Sequence, residues 1–192
     1  MPSTPCQPSP PSSWVQRFAP LVRPGGPVLD VACGGGRHLR LFHGRGHPVV
    51  GLDRDLGGVG DLDGRDGVTL VRVDLEAPVE AGGPVPLGTL PPGRRFAGIV
   101  VTNYLHRPLF PAILAALEPG GVLIYETFAD GNARFGRPSS PDFLLRRGEL
   151  LEAVRGRLQV VAFEQGEVAV PKPAVVQRLC AVAGEEPVAL AG

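Results

Sequence analysis

The sequence predicts one α/β domain with a doubly wound, mostly parallel sheet of seven strands that ends in an antiparallel hairpin. Its 192 residues match the size of a single domain with one core. Hydrophobic residues make up 43% of the chain and are gathered in blocks of strand length separated by turn residues. The early blocks are apolar on both faces, which is typical of parallel strands covered by helices.

The beginning of the chain is expected to contribute little to the core. Residues 1–11 carry five prolines and are predicted to form a disordered or frayed tail, and residues 12–192 form the single domain. Ser12 and Ser13 then offer a cap for a short helix that continues to Leu21.

Five apolar blocks are predicted to be parallel strands. They are residues 28–32, 49–53, 69–74, 96–102 and 122–126. A glycine turn at 33–36 and a helix at 38–42 join the first two blocks into a parallel crossover unit. The connection at 54–67 contains five glycines, so the helix expected there is short or irregular.

The second half of the chain completes the sheet. Residues 76–95 are rich in proline and glycine and are predicted to form a surface loop. Apolar residues at helical spacing then predict one buried helix face: Leu109, Phe110, Ile113, Leu114 and Leu117. A helix over 149–155 precedes two strands, at 159–163 and 175–182, whose short connection makes them antiparallel.

Composition narrows the class of function. Lys+Arg 19 balances Asp+Glu 19, so the strong field of a nucleic-acid or membrane-surface binder is missing. No signal peptide or run of about 20 apolar residues is present. Three widely spaced cysteines and three poorly spaced histidines (His38, His43 and His47) favour neither disulfides nor a metal site. We therefore expect a soluble cytoplasmic protein with a small-molecule substrate; monomer and homodimer remain open.

Three acids come at or near the ends of three successive strands, where ligands bind in open α/β sheets. They are Asp30, Asp53 and Asp74. After the first strand, the small residues Ala32, Gly34 and Gly36 let a backbone approach a ligand closely. A dinucleotide fingerprint would need a third glycine where Leu39 stands.

These acids are suited to different parts of one ligand. Asp53 is placed to accept the hydroxyls of a ribose, and Asp74 with Leu75 is placed to hold an adenine. A buried carboxylate at Asp30 needs a partner, such as the ammonium group of a ligand. Together they indicate a nucleoside with a cationic, amino-acid-like tail.

Several segments in this order resemble the class I S-adenosylmethionine-dependent methyltransferases, in particular the small single-domain bacterial type that includes tellurite-resistance-like members. The matching segments are Val28-Leu29-Asp30-Val31-Ala32-Cys33-Gly34-Gly35-Gly36-Arg37, Val50-Gly51-Leu52-Asp53-Arg54-Asp55, Val73-Asp74-Leu75-Glu76, residues 96–103, and Leu117-Glu118-Pro119-Gly120-Gly121-Val122-Leu123. The resemblance implies a Rossmann-like sheet and S-adenosyl-L-methionine as cofactor. It places Gly34 and Gly36 beside the methionyl group and Thr102 or Asn103 near the sulfonium.

The residues that bind the methyl acceptor are harder to predict from the sequence, because methyl transfer needs alignment of the reactants more than a dedicated base. The resemblance places substrate-facing residues after the fourth strand, at Tyr104, His106 and Arg107. His106 is the candidate general base, with Tyr104 beside it as a second catalytic candidate. Tyr125 at the end of the fifth strand, and Arg134 and Arg137 in the loop that follows, are further candidates for substrate contact, the arginines through an anion.

Two other classes of function share parts of this pattern. A nicotinamide-dependent oxidoreductase has the same crossover unit, although the third glycine is missing here. A non-catalytic binding or scaffold protein with a cofactor fold would fit the glycine-laden segment at 54–67, where the family keeps a regular helix.

Overall fold

The structure is a computed structural model that describes residues 9–77, 87, 90 and 93–189. Its centre is a seven-stranded sheet in the order β3-β2-β1-β4-β5-β7-β6. The strands are β1 (Val28–Val31), β2 (Val49–Asp53), β3 (Val68–Arg72), β4 (Phe96–Thr102), β5 (Leu117–Phe128), β6 (Gln159–Val168) and β7 (Ala174–Val182). The first five are parallel, and β7 runs antiparallel to both β5 and β6. The predicted fold class and the C-terminal hairpin are therefore confirmed.

Short helices cover the sheet. The α-helices are α1 (Ser13–Phe18), α2 (Arg37–His43), α3 (Phe110–Ala115) and α4 (Glu149–Val154). Short 3₁₀ helices of three to six residues lie in the connections, at Ala19–Leu21, Gly57–Leu62, Arg107–Leu109, Asn132–Phe135 and Pro141–Phe143. The segment predicted to be a short or irregular helix is thus a 3₁₀ helix. The Ser12 hydroxyl accepts the amide of Trp14 and caps α1.

Side chains from opposite faces of the sheet form two cores. Leu29 and Val31 of β1 belong to one cluster, whereas Val28 belongs to the other. This alternation follows from the two-residue period of a strand. It also directs Asp30 toward the face that carries α2, where Leu39 and Phe42 are buried.

Leu117 differs from its sequence prediction. It was expected on the helix that carries Ile113 and Leu114, but α3 ends at Ala115 and Leu117 pairs with Phe96 at the start of β5. Pro119 explains the change, because a proline disfavours helical geometry in the residue before it. Leu117 is buried in both arrangements, so apolar spacing alone does not separate them.

Two other boundaries shift. β3 ends at Arg72, so Asp74 lies beyond the strand and is not its last residue. Leu87 and Leu90, from the predicted surface loop, are buried in the same core cluster as Leu29. Residues 78–86, 88–89 and 91–92 of that loop, and residues 1–8 of the predicted tail, lie outside the described residues.

Within the part of the chain that the structure describes, no helix has the length and apolar character needed to cross a membrane. The same residues contain no cluster of three histidine, cysteine or acidic side chains able to hold a metal ion.

Candidate cofactor and substrate site

A cleft of about 420 Å³ crosses the carboxyl ends of the parallel strands. Its walls come from the segments that follow β3, β2, β1, β4 and β5, taken in their order across the sheet. The lining residues are Ala32, Asp53, Arg54, Val73, Asp74, Leu75, Glu76, Asn103, Tyr104, Leu105, Thr127, Phe128, Pro138 and Phe143. Its volume is within the range of small-molecule sites, about 300–1,000 Å³.

The floor of the cleft lies where the winding of the sheet changes direction. β2 and β3 lie on one side of β1, and β4 and β5 lie on the other. Ala32 and Asn103 follow β1 and β4, and both adopt left-handed backbone geometry, with φ of 56° and 54°. Such geometry in residues other than glycine is uncommon and often marks a ligand site. This is the position at which open α/β sheets bind their ligands.

The glycine turn joins the end of β2 through a carboxylate. The amide of Gly34 donates to Oδ2 of Asp53 at 2.7 Å, and the amide of Asp55 donates to Oδ1 at 2.9 Å. Each carboxylate oxygen has a second acceptor position, so Asp53 retains capacity for a ligand hydroxyl. The turn therefore lies against Asp53, which lines the cleft with Ala32, whereas Gly34 and Gly36 are not among the lining residues.

Gly36 is required by packing as well as by geometry. Its φ is 69°, and a Cβ there would lie 2.5 Å from Cγ1 of Val59. A Cβ on Gly58 would lie 3.0 Å from Cα of Gly35. The glycine-rich 3₁₀ segment thus packs directly against the turn, which explains glycine at both contacts.

Asp74 and Leu75 form the far end of the cleft. One oxygen of Asp74 accepts the amide of Glu76 at 3.0 Å, and the carboxylate is exposed. The side chain of Leu75 is buried. A polar edge therefore lies beside an apolar surface, which is the pairing that an adenine ring needs.

Asp30 lies beneath the turn and not in the cleft wall. Its side chain is 2% exposed, and Oδ2 has no hydrogen-bond partner among the described residues. Burial raises the pKa of Asp30 to about 8, Asp53 adds to the rise, and the charge of Arg37 opposes it. A neutral Asp30 is therefore the stable form of the free protein below that pH.

Tyr125 lies deeper in the protein than Tyr104 and is bonded to its backbone. Tyr125 is 1% exposed, and its hydroxyl donates to the backbone oxygen of Tyr104 at 3.0 Å. Tyr104 lines the cleft, and its own hydroxyl is buried without a partner among the described residues. Burial, together with the charges of Glu76 and Asp74, raises the pKa of Tyr104 above its usual range. Tyr125 therefore supports the cleft from below and Tyr104 faces it.

Arg107 is a structural cross-link. Nε and Nη2 donate to the two oxygens of Glu149 at 2.6 and 2.9 Å. Nη1 and Nη2 also donate to the backbone oxygens of Asp142 and Leu144 at 2.8 and 2.9 Å. Burial opposes ionisation of Glu149, but the hydrogen bonds from Arg107 and Arg146 outweigh it and lower its pKa. Four of the five N–H groups of this guanidinium are therefore bonded within the protein.

The other expected substrate residues lie outside the cleft wall. His106 precedes the 3₁₀ turn at Arg107–Leu109 and is half-buried. Arg134 forms an ion pair with Glu167 and borders a separate depression near β6 and β7. Arg137 is exposed beside Pro138. The structure thus brings Tyr104 to the cleft and leaves these three at other positions.

Several wall residues were missed in the sequence. Arg54 directly follows Asp53, and Glu76 lies two residues after Asp74, so their nearness in the sequence was an available signal. Phe128, Pro138 and Phe143 come from β5 and the long loop after it, and their meeting depends on how that loop folds back. The amide of Leu145 donates to the oxygen of Phe128 at 3.0 Å and makes this return.

Most of the chain matches a known protein family. Residues 7–158 match a family described as a methyltransferase domain. The match covers more than half of the chain. The chain belongs to this methyltransferase family. The resemblance found in the motifs is therefore confirmed, and the oxidoreductase alternative loses its support.

Solved structures share the fold of this methyltransferase at low sequence identity. TehB from Haemophilus influenzae is 15% identical with a TM-score of 0.68; the match covers 88% of this chain and only 61% of TehB. The glycopeptide N-methyltransferase MtfA, complexed with S-adenosylhomocysteine, is 21% identical with a TM-score of 0.60, covering 91% of this chain and 90% of MtfA.

A third structure is 1,6-didemethyltoxoflavin-N1-methyltransferase from Burkholderia thailandensis, with S-adenosylhomocysteine and 1,6-didemethyltoxoflavin bound. It is 22% identical with a TM-score of 0.63, and the match covers 90% of this chain and 76% of that one. No curated protein sequence matches this methyltransferase significantly.

Proposed function

We propose that this chain is an S-adenosylmethionine-dependent methyltransferase that acts on a small molecule. One observation carries the proposal: Asp53, which lines the cleft together with Ala32, is hydrogen-bonded to Gly34 of the glycine turn at the point where the sheet changes winding direction. The family match and the bound S-adenosylhomocysteine in two of the structural neighbours support it.

The residues present fit the cofactor. Asp53 retains acceptor positions for ribose hydroxyls, and Asp74 with Leu75 offers a carboxylate and an apolar surface to adenine. A Cβ on Gly34 would project into open space, so the turn leaves room for the methionyl group. Asp30 has an unpartnered buried oxygen beneath the same turn, and a cationic ammonium group nearby would favour its ionised form.

When bound, S-adenosylmethionine would supply a methyl group carried on a sulfonium to an acceptor that offers a lone pair, with S-adenosylhomocysteine as the leaving group. The protein's own part is alignment of the two reactants, which accounts for large rate effects in displacement reactions. Asn103 and Tyr104, held by the left-handed backbone and by Tyr125, are placed to define this alignment.

The acid–base roles are also part of the proposal. Since burial raises the pKa of Tyr104, its buried hydroxyl stays protonated at neutral pH, and Tyr104 lines the cleft as a neutral side chain. His106 is the candidate base, and it reaches the cleft only through a rearrangement of the segment after β4, since it does not line the wall.

Calorimetry with S-adenosylhomocysteine tests the function directly. We expect saturable binding of one equivalent by the full chain, and no fluorescence enhancement of added NADH. Saturable NADH binding would favour an oxidoreductase. A folded protein that binds neither ligand and co-purifies with a protein partner would favour a non-catalytic role.

A further inference from the structure

The two ends of the cleft differ in chemistry. The end near β2 and β3 carries four charged side chains, which are Asp53, Arg54, Asp74 and Glu76. The end near β5 carries uncharged residues, which are Leu105, Thr127, Phe128, Pro138 and Phe143. Because the proposed nucleoside occupies the charged end, the uncharged end is left for the methyl acceptor.

Phe143 gives this end an exposed aromatic face. Its side chain is 48% exposed although it lines the cleft. An aromatic ring that remains open at the mouth of a cleft offers a planar ligand both apolar area and a stacking surface.

The aromatic wall is held in place before any ligand arrives. Arg107 binds the carbonyls of Asp142 and Leu144, which flank Phe143 on both sides. The side-chain amide of Asn132 donates to the oxygen of Pro138 at 2.9 Å and accepts the amide of Val175 at 3.1 Å. A preformed wall lowers the entropic cost of binding a rigid ligand.

No cation of the described part of the chain lines this end of the cleft, and Arg137, next to Pro138, is exposed outside the wall. Arg107 is engaged by Glu149 and two carbonyls, and Arg134 is paired with Glu167 in another depression. Among the described residues, Arg54 is the only cation in the cleft wall, and it lies at the opposite, acidic end. A carboxylate or phosphate bound near Phe143 would therefore be desolvated without a partner.

We infer that the methyl acceptor is an uncharged planar aromatic molecule whose ring packs against Phe143 and Phe128. This inference rests on the proposed function and specifies the substrate class of the same site. An uncharged acceptor differs from the anion expected in the sequence analysis, because an anion site would need Arg134 or Arg137 in the cleft wall and neither lines it.

Two ring-matched probes test the inference. The full chain is saturated with S-adenosylhomocysteine and titrated with 2-naphthol or 2-naphthoate, which differ in the charge of one substituent, with ligand fluorescence as the readout. We expect saturable binding of 2-naphthol and at least tenfold weaker binding of 2-naphthoate. Phe143→Ala should weaken 2-naphthol binding by about fivefold, the value of one lost aromatic contact.

Phe135→Ala is the matched control, because Phe135 is 40% exposed in the same loop region but does not line the cleft. It should leave 2-naphthol binding within about twofold of the parent. Equal binding of both probes, or equal losses in the two variants, would overturn the inference while the proposed function stands. Absence of S-adenosylhomocysteine binding would instead overturn the function, and the acceptor inference with it.

Discussion

Arg107 and Glu149 form a two-point ion pair, and the same guanidinium holds the backbone on both sides of Phe143. Glu149 is nearly buried, at 9% side-chain exposure, whereas Arg107 is at 33%. Glu149 begins α4, and its Oε2 also accepts the amide of Arg146 at 2.8 Å. One side-chain pair thus joins the segment after β4 to the segment that forms the apolar end of the cleft.

Removal of this pair should be costly. Arg107→Ala leaves Glu149 without its main partner and frees two carbonyls, so we expect a loss of about 1–3 kcal/mol in the free energy of unfolding. Urea denaturation at pH 7 measures it. Arg134→Ala is the control, because its pair with Glu167 is exposed on both sides and should be worth less than about 1 kcal/mol. Equal losses of unfolding free energy in the two variants would contradict a stabilising role of the pair between Arg107 and Glu149.

Two glycines of the turn should respond differently to substitution, Gly36 in protein stability and Gly34 in ligand affinity. Gly36→Ala should destabilise the protein by more than about 2 kcal/mol, because its Cβ would overlap Val59 in addition to the left-handed strain. A Cβ on Gly34 would meet no atom within 4 Å, so Gly34→Ala should cost only about 1 kcal/mol in the free energy of unfolding, from backbone strain. Because this Cβ would project into the space proposed for the methionyl group, affinity for S-adenosylhomocysteine should fall at least tenfold.

Gly46→Ala is the control for backbone strain alone. Gly46 has a φ of 84° and open space around its Cβ position, but it lies between α2 and β2, at the end of the strands opposite to the cleft. It should match Gly34→Ala in thermal stability and the parent in ligand affinity. A similar loss of affinity in both variants would mean that the turn does not face the cofactor.

Asp53→Ala should weaken binding of S-adenosylhomocysteine by on the order of 1–3 kcal/mol, because it removes charge-assisted hydrogen bonds to the ribose. Circular dichroism should show an intact fold. Asp63→Ala removes an exposed acid at the end of the neighbouring 3₁₀ segment and should leave calorimetric affinity unchanged. If Asp53→Ala binds as well as Asp63→Ala, the ribose assignment is wrong.

Asp30 should give the free protein a characteristic pH dependence. Its pKa rises from 3.8 to about 8 on folding, so between these values the unfolded chain has released a proton that the folded chain keeps. Stability attributable to this group is therefore complete below pH 4 and falls as pH rises toward 8. Asp30→Asn removes this contribution.

Thermal melts of the ligand-free protein at pH 5 and pH 8 provide the measurement. Between pH 5 and pH 8 the Tm of the parent should fall relative to the Tm of Asp30→Asn by at least about 3 °C. Parallel pH profiles for the two proteins would show that Asp30 is already ionised in the folded state.

The sequence by itself determined the parallel strands and their C-terminal hairpin, the glycine turn, and the acids at or near the strand ends. Apolar strands end where turn residues begin, and the carboxyl ends of parallel strands share one edge of the sheet, so residues that follow different strands are brought together. Asp53 and Gly34 meet for this reason, although they are 19 residues apart.

Only the tertiary structure decided the other half of the site. Phe143 reaches the cleft because the loop after β5 returns along Phe128 and is held by Arg107, a residue that precedes it by 36 positions in the sequence. Arg134, in the same loop, is drawn instead to Glu167 on β6. Arginine side chains are long and find partners wherever a loop places them, so neither their number nor their spacing indicates whether they face a ligand or a carboxylate of the protein itself.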